Sequence, residues 1–154
     1  MQRTGETMKK VEFELLDQDG NLFSTKEMLG KRWILFFYPA ALTPGCVIEA
    51  GSFRDEYQQF SKAGYEIVGI SPDPPKANAK FREVENLPFR LLSDEEHEIA
   101  SRLGAWGVKS SFGRQYEGLI RSTFVIDEKG EIEREYRNVR AKEHVGVLEG
   151  DLGL

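Results

Sequence analysis

An α/β fold, with a central mixed β-sheet flanked by helices and an N-terminal β-hairpin extension, is what this sequence predicts. Three observations predict it. Two near-continuous apolar runs, RWILFFYP at 32–39 and YEIVGIS at 65–71, have the length of strands and the composition of strands covered on both faces. Stretches with helical apolar spacing alternate with these runs, the order that layers helices on both faces of a sheet. Finally, 154 residues, 40% of them hydrophobic, suffice for one core but not for two ordinary ones. No repeat, low-complexity tract or Pro/Gly-rich linker divides them, so a single domain over 1–154 is expected.

The elements follow in order. VEFELLDQDGNLFS alternates apolar and polar residues around an Asp-Gly turn signal, which reads as a hairpin. TKEMLG has a cap residue, a short helical turn and a closing Gly. The run RWILFFYP is the first buried strand. From about Thr43 to Ala63, Val47, Ala50, Phe53, Tyr57 and Phe60 recur at helical spacing, and Gly64 supplies a stop. YEIVGIS is a second buried strand, and PPKANAKFREVEN a helix that tolerates Pro in its first turn. FRLLSD is a short strand and EEHEIASRLG another helix ending in Gly. After the loop AWGVKSSFGRQYEG come two strands, LIRSTFVID and EIEREYRNV, joined by the turn EKG; AKEHVGVLEGDLG forms a last helix. This order of strands and helices is that of a thioredoxin-like fold.

Charge narrows the partners. With 26 acidic and 21 basic residues the formal net charge is −5, and the Lys and Arg side chains are scattered among acids. Nucleic acid and anionic membranes, which need clustered cations, are not expected partners. MQRTGETMKK lacks the apolar run of a signal peptide, and WILFFY is far too short to cross a bilayer. One cysteine forms no internal disulfide, so the cytoplasm is the expected compartment.

That cysteine, Cys46, stands in FYPAALTPGCVIEAGSF, behind a strand and at the opening of a helix. Thr43 suits the cap position and Pro44 the first helical residue, which puts Cys46 in the first turn. Unpaired N–H groups and the helix dipole there favour a thiolate, the nucleophilic form. The carboxyl edge of a parallel sheet is also where open α/β folds place their sites. Spacing leaves two readings open, since free cysteines also serve as small buried hydrophobes.

Pro39-x-x-x-Thr43-Pro44-x-Cys46 resembles the active-site signature of the peroxiredoxins, thiol peroxidases on the thioredoxin fold. The longer match is to the bacterioferritin comigratory protein/PrxQ branch. It runs through FYPAALTPGCVIEAGSFRD, DQDGN, SPDPPKANAKF, LPFRLLSD and WGVKSSFGRQYEGLIRSTFVID, from about Val11 to Val147. The resemblance implies reduction of hydrogen peroxide and organic hydroperoxides, with Cys46 as the peroxidatic cysteine. It implies that Thr43 hydrogen-bonds thiolate or peroxide, that Pro39 covers the site, that Arg121 activates, and that Glu49 orients Arg121. Without it, Arg121 reads as a surface residue on a strand, Thr43 as a plain cap and Glu49 as an exposed helix carboxylate. The chemistry needs such groups: in-line attack on an O–O bond requires a thiolate, a positioned peroxide and donors for the oxygens that gain charge.

Many members of the branch carry a resolving cysteine five positions after the peroxidatic one. Here that position is Gly51, and no other cysteine exists. The implied mechanism has one cysteine: Cys46 becomes a sulfenic acid, and an external thiol such as thioredoxin or glutathione with glutaredoxin restores it. The sulfenic acid is then open to further oxidation under excess peroxide. No metal or organic cofactor is implied, and the branch suggests a monomer. A redox sensor or holdase-type binding module that passes oxidation to a partner is the alternative; many turnovers with thiol separate the enzyme from it. His97 and His144 read as solvated residues of surface helices. Trp106, Phe112 and Tyr116 read as an apolar loop, packed on the sheet or walling the site.

Overall fold

The computed structural model describes residues 10–154. The segment 1–9, most of the stretch read as lacking a targeting run, lies outside them. Nine strands and five helices are described: β1 Glu14–Asp17, β2 Leu22–Ser24, β3 Arg32–Phe37, α1 Pro44–Asp55, α2 Tyr57–Lys62, β4 Tyr65–Ser71, α3 Pro75–Val84, β5 Arg90–Ser93, α4 Glu98–Arg102, β6 Trp106–Ser111, β7 Arg114–Leu119, β8 Ser122–Ile126, β9 Ile132–Arg137 and α5 His144–Leu152. Seven strands form one mixed sheet in the order β2-β1-β5-β4-β3-β8-β9, and β6 pairs with β7 in a separate ribbon. The β3–β4 and β4–β5 pairs are parallel, while β8 runs antiparallel to β3. This is the expected thioredoxin-like arrangement, with the N-terminal hairpin β1–β2 joined antiparallel to β5.

Period-two alternation in β3 builds both layers of the core. Trp33, Leu35 and Phe37 pack on one face with Phe23, Ile70, Ile99 and Phe124. Ile34, Phe36 and Tyr38 pack on the other with Cys46, Phe53, Phe60, Phe81 and Leu148. Successive side chains of a strand point to opposite faces, so a run apolar at every position must be covered twice. Helices α1, α2, α3 and α5 cover the second face, and α4 covers the first.

The helix expected over 43–63 is two helices, separated at Glu56 (φ −103°, ψ 9°). A straight helix of that length would extend roughly 30 Å, beyond the reach of six-residue strands of about 20 Å. The bend keeps Phe53 and Phe60 on one core, with ring centroids 5.9 Å apart. Residues 25–28 form a 3-10 turn in which Ser24 and Glu27 make a reciprocal capping box.

The segment read as an apolar loop is the hairpin β6–β7, with Trp106 opposite Leu119 and Ser111 opposite Arg114. Its two-residue turn is Phe112-Gly113, both with positive φ (51° and 77°), the geometry that matches strand twist. Trp106 packs on the core and stacks on His97 at 3.8 Å. Phe112 packs on nothing: it is fully exposed and Tyr116 is half so. A turn residue projects away from the ladder that carries it, which is why this side chain does not reach the sheet.

Candidate active site

The site lies at the carboxyl end of β3 and β4. Leaving β3, the chain passes Tyr38, Pro39, Ala40, Ala41 and Leu42 and enters α1 at Pro44, the helix's first residue. Thr43 holds the N-cap position in extended conformation (φ −87°, ψ 153°), but its side chain makes no cap. Its hydroxyl donates to the Ala40 carbonyl at 2.7 Å. The expected capping bond, in which the hydroxyl oxygen would accept from an N–H of the first turn, is absent: the hydroxyl is turned back toward Ala40 instead. Pro39 is half-buried at the start of the same loop.

Cys46 is completely buried in the first turn of α1. Three residues on, and so on the same helix face, Glu49 is also completely buried. Arg121, between β7 and β8, reaches both: Nη1 donates to Glu49 Oε1 at 2.7 Å and Nη2 to Cys46 Sγ at 3.5 Å. The arginine is thus no surface residue and the glutamate no exposed helix carboxylate. The antiparallel β3–β8 pairing, with Phe37 opposite Ser122, delivers Arg121 to the corner where α1 begins.

The electrostatics follow from burial. One cation serves two potential anions, and Glu49 Oε2 is buried without a partner. Burial pushes the Glu49 carboxyl up to about 7 against the pull of Arg121. Burial also opposes the Arg121 charge, but Glu49 and Cys46 outweigh it and hold the guanidinium above its ordinary range. Tyr38, behind the thiol, is forced well up by burial and donates to Asn78 Oδ1 at 2.6 Å.

Three contributors were not legible as such. Gly45 leaves room for the arginine: a Cβ there would stand 3.0 Å from Arg121 Nη2. His144, read as a solvated surface residue, is buried and lies 2.8 Å from the Thr123 hydroxyl through Nε2. It stands at the start of α5, where the helix packs on the sheet and on α1, and helical spacing alone did not show which face is covered. Burial, and then the Arg121 charge, lower its pKa to about 4. Lys109 on β6 faces Arg121 and Cys46; burial first, then Arg121, lower its pKa, and its Nζ donates to the Leu119 carbonyl at 2.8 Å. A half-buried hairpin lysine gives no sequence signal.

Gly51, the position expected for a resolving cysteine, sits inside an unbroken α1. A Cβ there would meet the Arg54 guanidinium at 3.3 Å, and that guanidinium is fastened to the Glu85 carbonyl at 2.7 Å. Arg54 thus occupies the space beside the helix. Cys46 is the one cysteine of the chain, and no group of three or more His, Cys, Asp or Glu side chains among the described residues is arranged to hold a metal ion. No helix among them is long and apolar enough to cross a membrane.

Comparison with known proteins gives one answer. The AhpC/TSA family matches residues 5–135. The chain is 42% identical to peroxiredoxin Bcp of Bacillus subtilis over 137 residues, covering 89% of this chain and 87% of that protein. It is 40% identical to peroxiredoxin Bcp of Escherichia coli K12 over 136 residues, 88% and 87% of the two chains. Among solved structures, peroxidoxin BcpB of Mycobacterium tuberculosis superposes with a TM-score of 0.82 at 34% identity, over 96% of each chain. A bacterioferritin comigratory protein of Xanthomonas campestris, studied for alkyl peroxide reduction, superposes at 0.85 with 27% identity, over 92% of this chain and 90% of that one.

Proposed function

Since the chain belongs to the AhpC/TSA family, within its Bcp/PrxQ peroxiredoxins, and is a thiol-dependent peroxidase, we propose that Cys46 is its peroxidatic residue. The observation that carries this reading is the Arg121 fork, which holds one N–H on the Cys46 sulfur and another on Glu49. A guanidinium stays charged at every relevant pH and has a rigid donor plane, so it can favour the thiolate and then meet the oxygens as charge moves onto them. Glu49 fixes its orientation. The helix N-terminus adds further positive potential at the sulfur.

The reaction balances simply. The Cys46 thiolate attacks the near oxygen of a hydroperoxide, the S–O bond forms, and the O–O bond breaks. The far oxygen leaves with the bonding pair and takes up a proton, giving water from hydrogen peroxide or an alcohol from an organic hydroperoxide. The Thr43 hydroxyl, its proton given to Ala40, offers a lone pair to the peroxide O–H. Pro39 shields the site from water. An external thiol then attacks the sulfenic sulfur, expelling water to form a mixed disulfide, and a second thiol releases Cys46. Thioredoxin, or glutathione with glutaredoxin, has the required chemistry. A lone thiol that cycles this way suits a reducing compartment, with the cytoplasm the default, and a monomer that requires no second subunit.

Stopped-flow oxidation with one equivalent of hydrogen peroxide, followed by dimedone trapping and peptide mass spectrometry, tests this reading. Fast oxidation trapped at Cys46, sustained turnover with added thiol, and loss of both in Cys46→Ser are expected. A rate no greater than that of a free thiol would refute it.

A further inference from the structure

Besides the packing of Ala41 on the core, a side-chain hydrogen bond from outside holds the loop that delivers Cys46. Among the described residues, the hydrogen bond that ties 39–43 to another element runs from the Ala41 N–H to Asp73 Oδ2, at 2.7 Å. The loop's other bonds are local: Thr43 donates to Ala40, and the Val47 N–H in the first turn of α1 donates to the Thr43 carbonyl. Leu42, between Ala41 and Thr43, has φ 63°, a left-handed conformation that L side chains resist and that persists only where neighbours impose it.

Asp73 is itself secured. Its Oδ2 also accepts from the Ser71 hydroxyl at 2.8 Å, and its backbone N–H donates to the same Ser71 oxygen at 3.2 Å. Ser71 is completely buried and also contacts Asn78 Oδ1 at 3.3 Å. Asn78 receives the Tyr38 phenol and donates toward the Leu92 carbonyl and the Ser93 hydroxyl at 3.3 Å each. A polar chain therefore crosses the ends of β3, β4 and β5 and the first turns of α3, and it terminates on the loop.

Cys46 is completely buried. Hydrogen peroxide brings only two heavy atoms to the sulfur, whereas an external thiol must reach the same buried sulfur with a carbon skeleton or a whole protein behind it. We infer that Asp73 is a positioning residue that latches the 39–43 loop shut, speeding attack on peroxide and slowing access of the reducing thiol. The inference rests on the peroxidatic reading of Cys46 and adds a residue to it. Its consequence is a pair of opposite effects. Loss of the latch leaves Thr43 and the first turn of α1 less well placed for peroxide, and it makes opening of the loop easier for the bulkier reactant.

Each half-reaction is measured alone in Asp73→Ala and Asp73→Asn: oxidation of the reduced protein by hydrogen peroxide, and consumption of the coloured thiol thionitrobenzoate by the freshly oxidised protein. Oxidation should slow by about tenfold in Asp73→Ala, the scale of a lost charge-assisted hydrogen bond, while reduction by thionitrobenzoate accelerates. Asp73→Asn keeps an acceptor oxygen and should show both changes in smaller degree; if Asp73→Ala does not fold, this variant decides. Both half-reactions slowed alike, or neither changed, overturns the inference while the peroxidase reading stands. A wild-type protein inert to peroxide overturns both.

Discussion

Cys46, completely buried, and Phe112, completely exposed, stand at opposite extremes in two regions that the sequence associates with one site. The Cys46 corner draws its parts from α1, β8 and the segments before them, and each part is tied to another: sulfur to Arg121, Arg121 to Glu49. The β6–β7 hairpin is tied along its length mainly by its own ladder. A substitution in the corner leaves a buried charge or a misplaced sulfur, whereas one at the hairpin tip removes a side chain that touches water. The contrast separates side chains held by buried polar partners from one at the hairpin tip that meets only water.

Breaking the corner gives the largest expected effect. Arg121→Ala should reduce the rate of Cys46 oxidation by hydrogen peroxide roughly a hundredfold, the scale of losing a preorganised donor to a developing charge. Arg121→Lys should restore little of it, because a point charge on a flexible stem does not reproduce the fork onto Cys46 and Glu49. Stopped-flow rates of the two variants check this; a full rate in Arg121→Lys would show that charge alone suffices.

An intermediate effect is expected where α5 meets the corner. The His144 pKa falls from 6.5 in the unfolded chain to about 4 in the folded one, so between these values the unfolded state holds more protons. His144 therefore costs stability as pH falls from 6.5 toward 4, on the order of 3 kcal/mol in full. Glu49, raised from 4.5 to about 7, acts in the opposite sense: its contribution is present at low pH and lost as pH rises through 7. Glu149, raised similarly by burial and by Glu56, does the same. The overall profile mixes these contributions, and the difference between wild type and His144→Gln isolates one. Thermal denaturation from pH 7 to pH 4 should show wild type losing more stability than the variant; parallel curves would refute the assignment.

The smallest effect should come from the hairpin tip. Phe112→Ser should leave the peroxide rate unchanged and alter stability by no more than about 0.5 kcal/mol. A clear fall in the rate would show that the hairpin reaches over the thiol, and the contrast between the two regions would fail.

Sheet and helices were legible because burial on two faces and on one face leaves different periods in a sequence. The double covering of 32–37 and 65–71 could be read from unbroken apolar runs, and the start of α1 from Thr43-Pro44. The break at Glu56 could not, since the apolar spacing continues through it. His144 was misread for a related reason: a polar residue at the start of a helix carries no mark of what will pack against it. Phe112 was misread in the opposite direction, as an aromatic side chain suggests burial although a two-residue turn points it outward.

By itself the sequence determined the α/β architecture and the single thiol at a helix start, for which local order and composition suffice; the chemistry to expect came with the resemblance of Pro39-x-x-x-Thr43-Pro44-x-Cys46 to the peroxiredoxin signature. Only the tertiary structure decided which polar groups share the buried space. It brings Arg121 to residues 72 and 75 positions earlier, at Glu49 and Cys46. It also sets Asp73 under Ala41 and seals His144 against Thr123. Such pairings arise from strand order and packing, where the distance between two groups bears no relation to their separation along the chain.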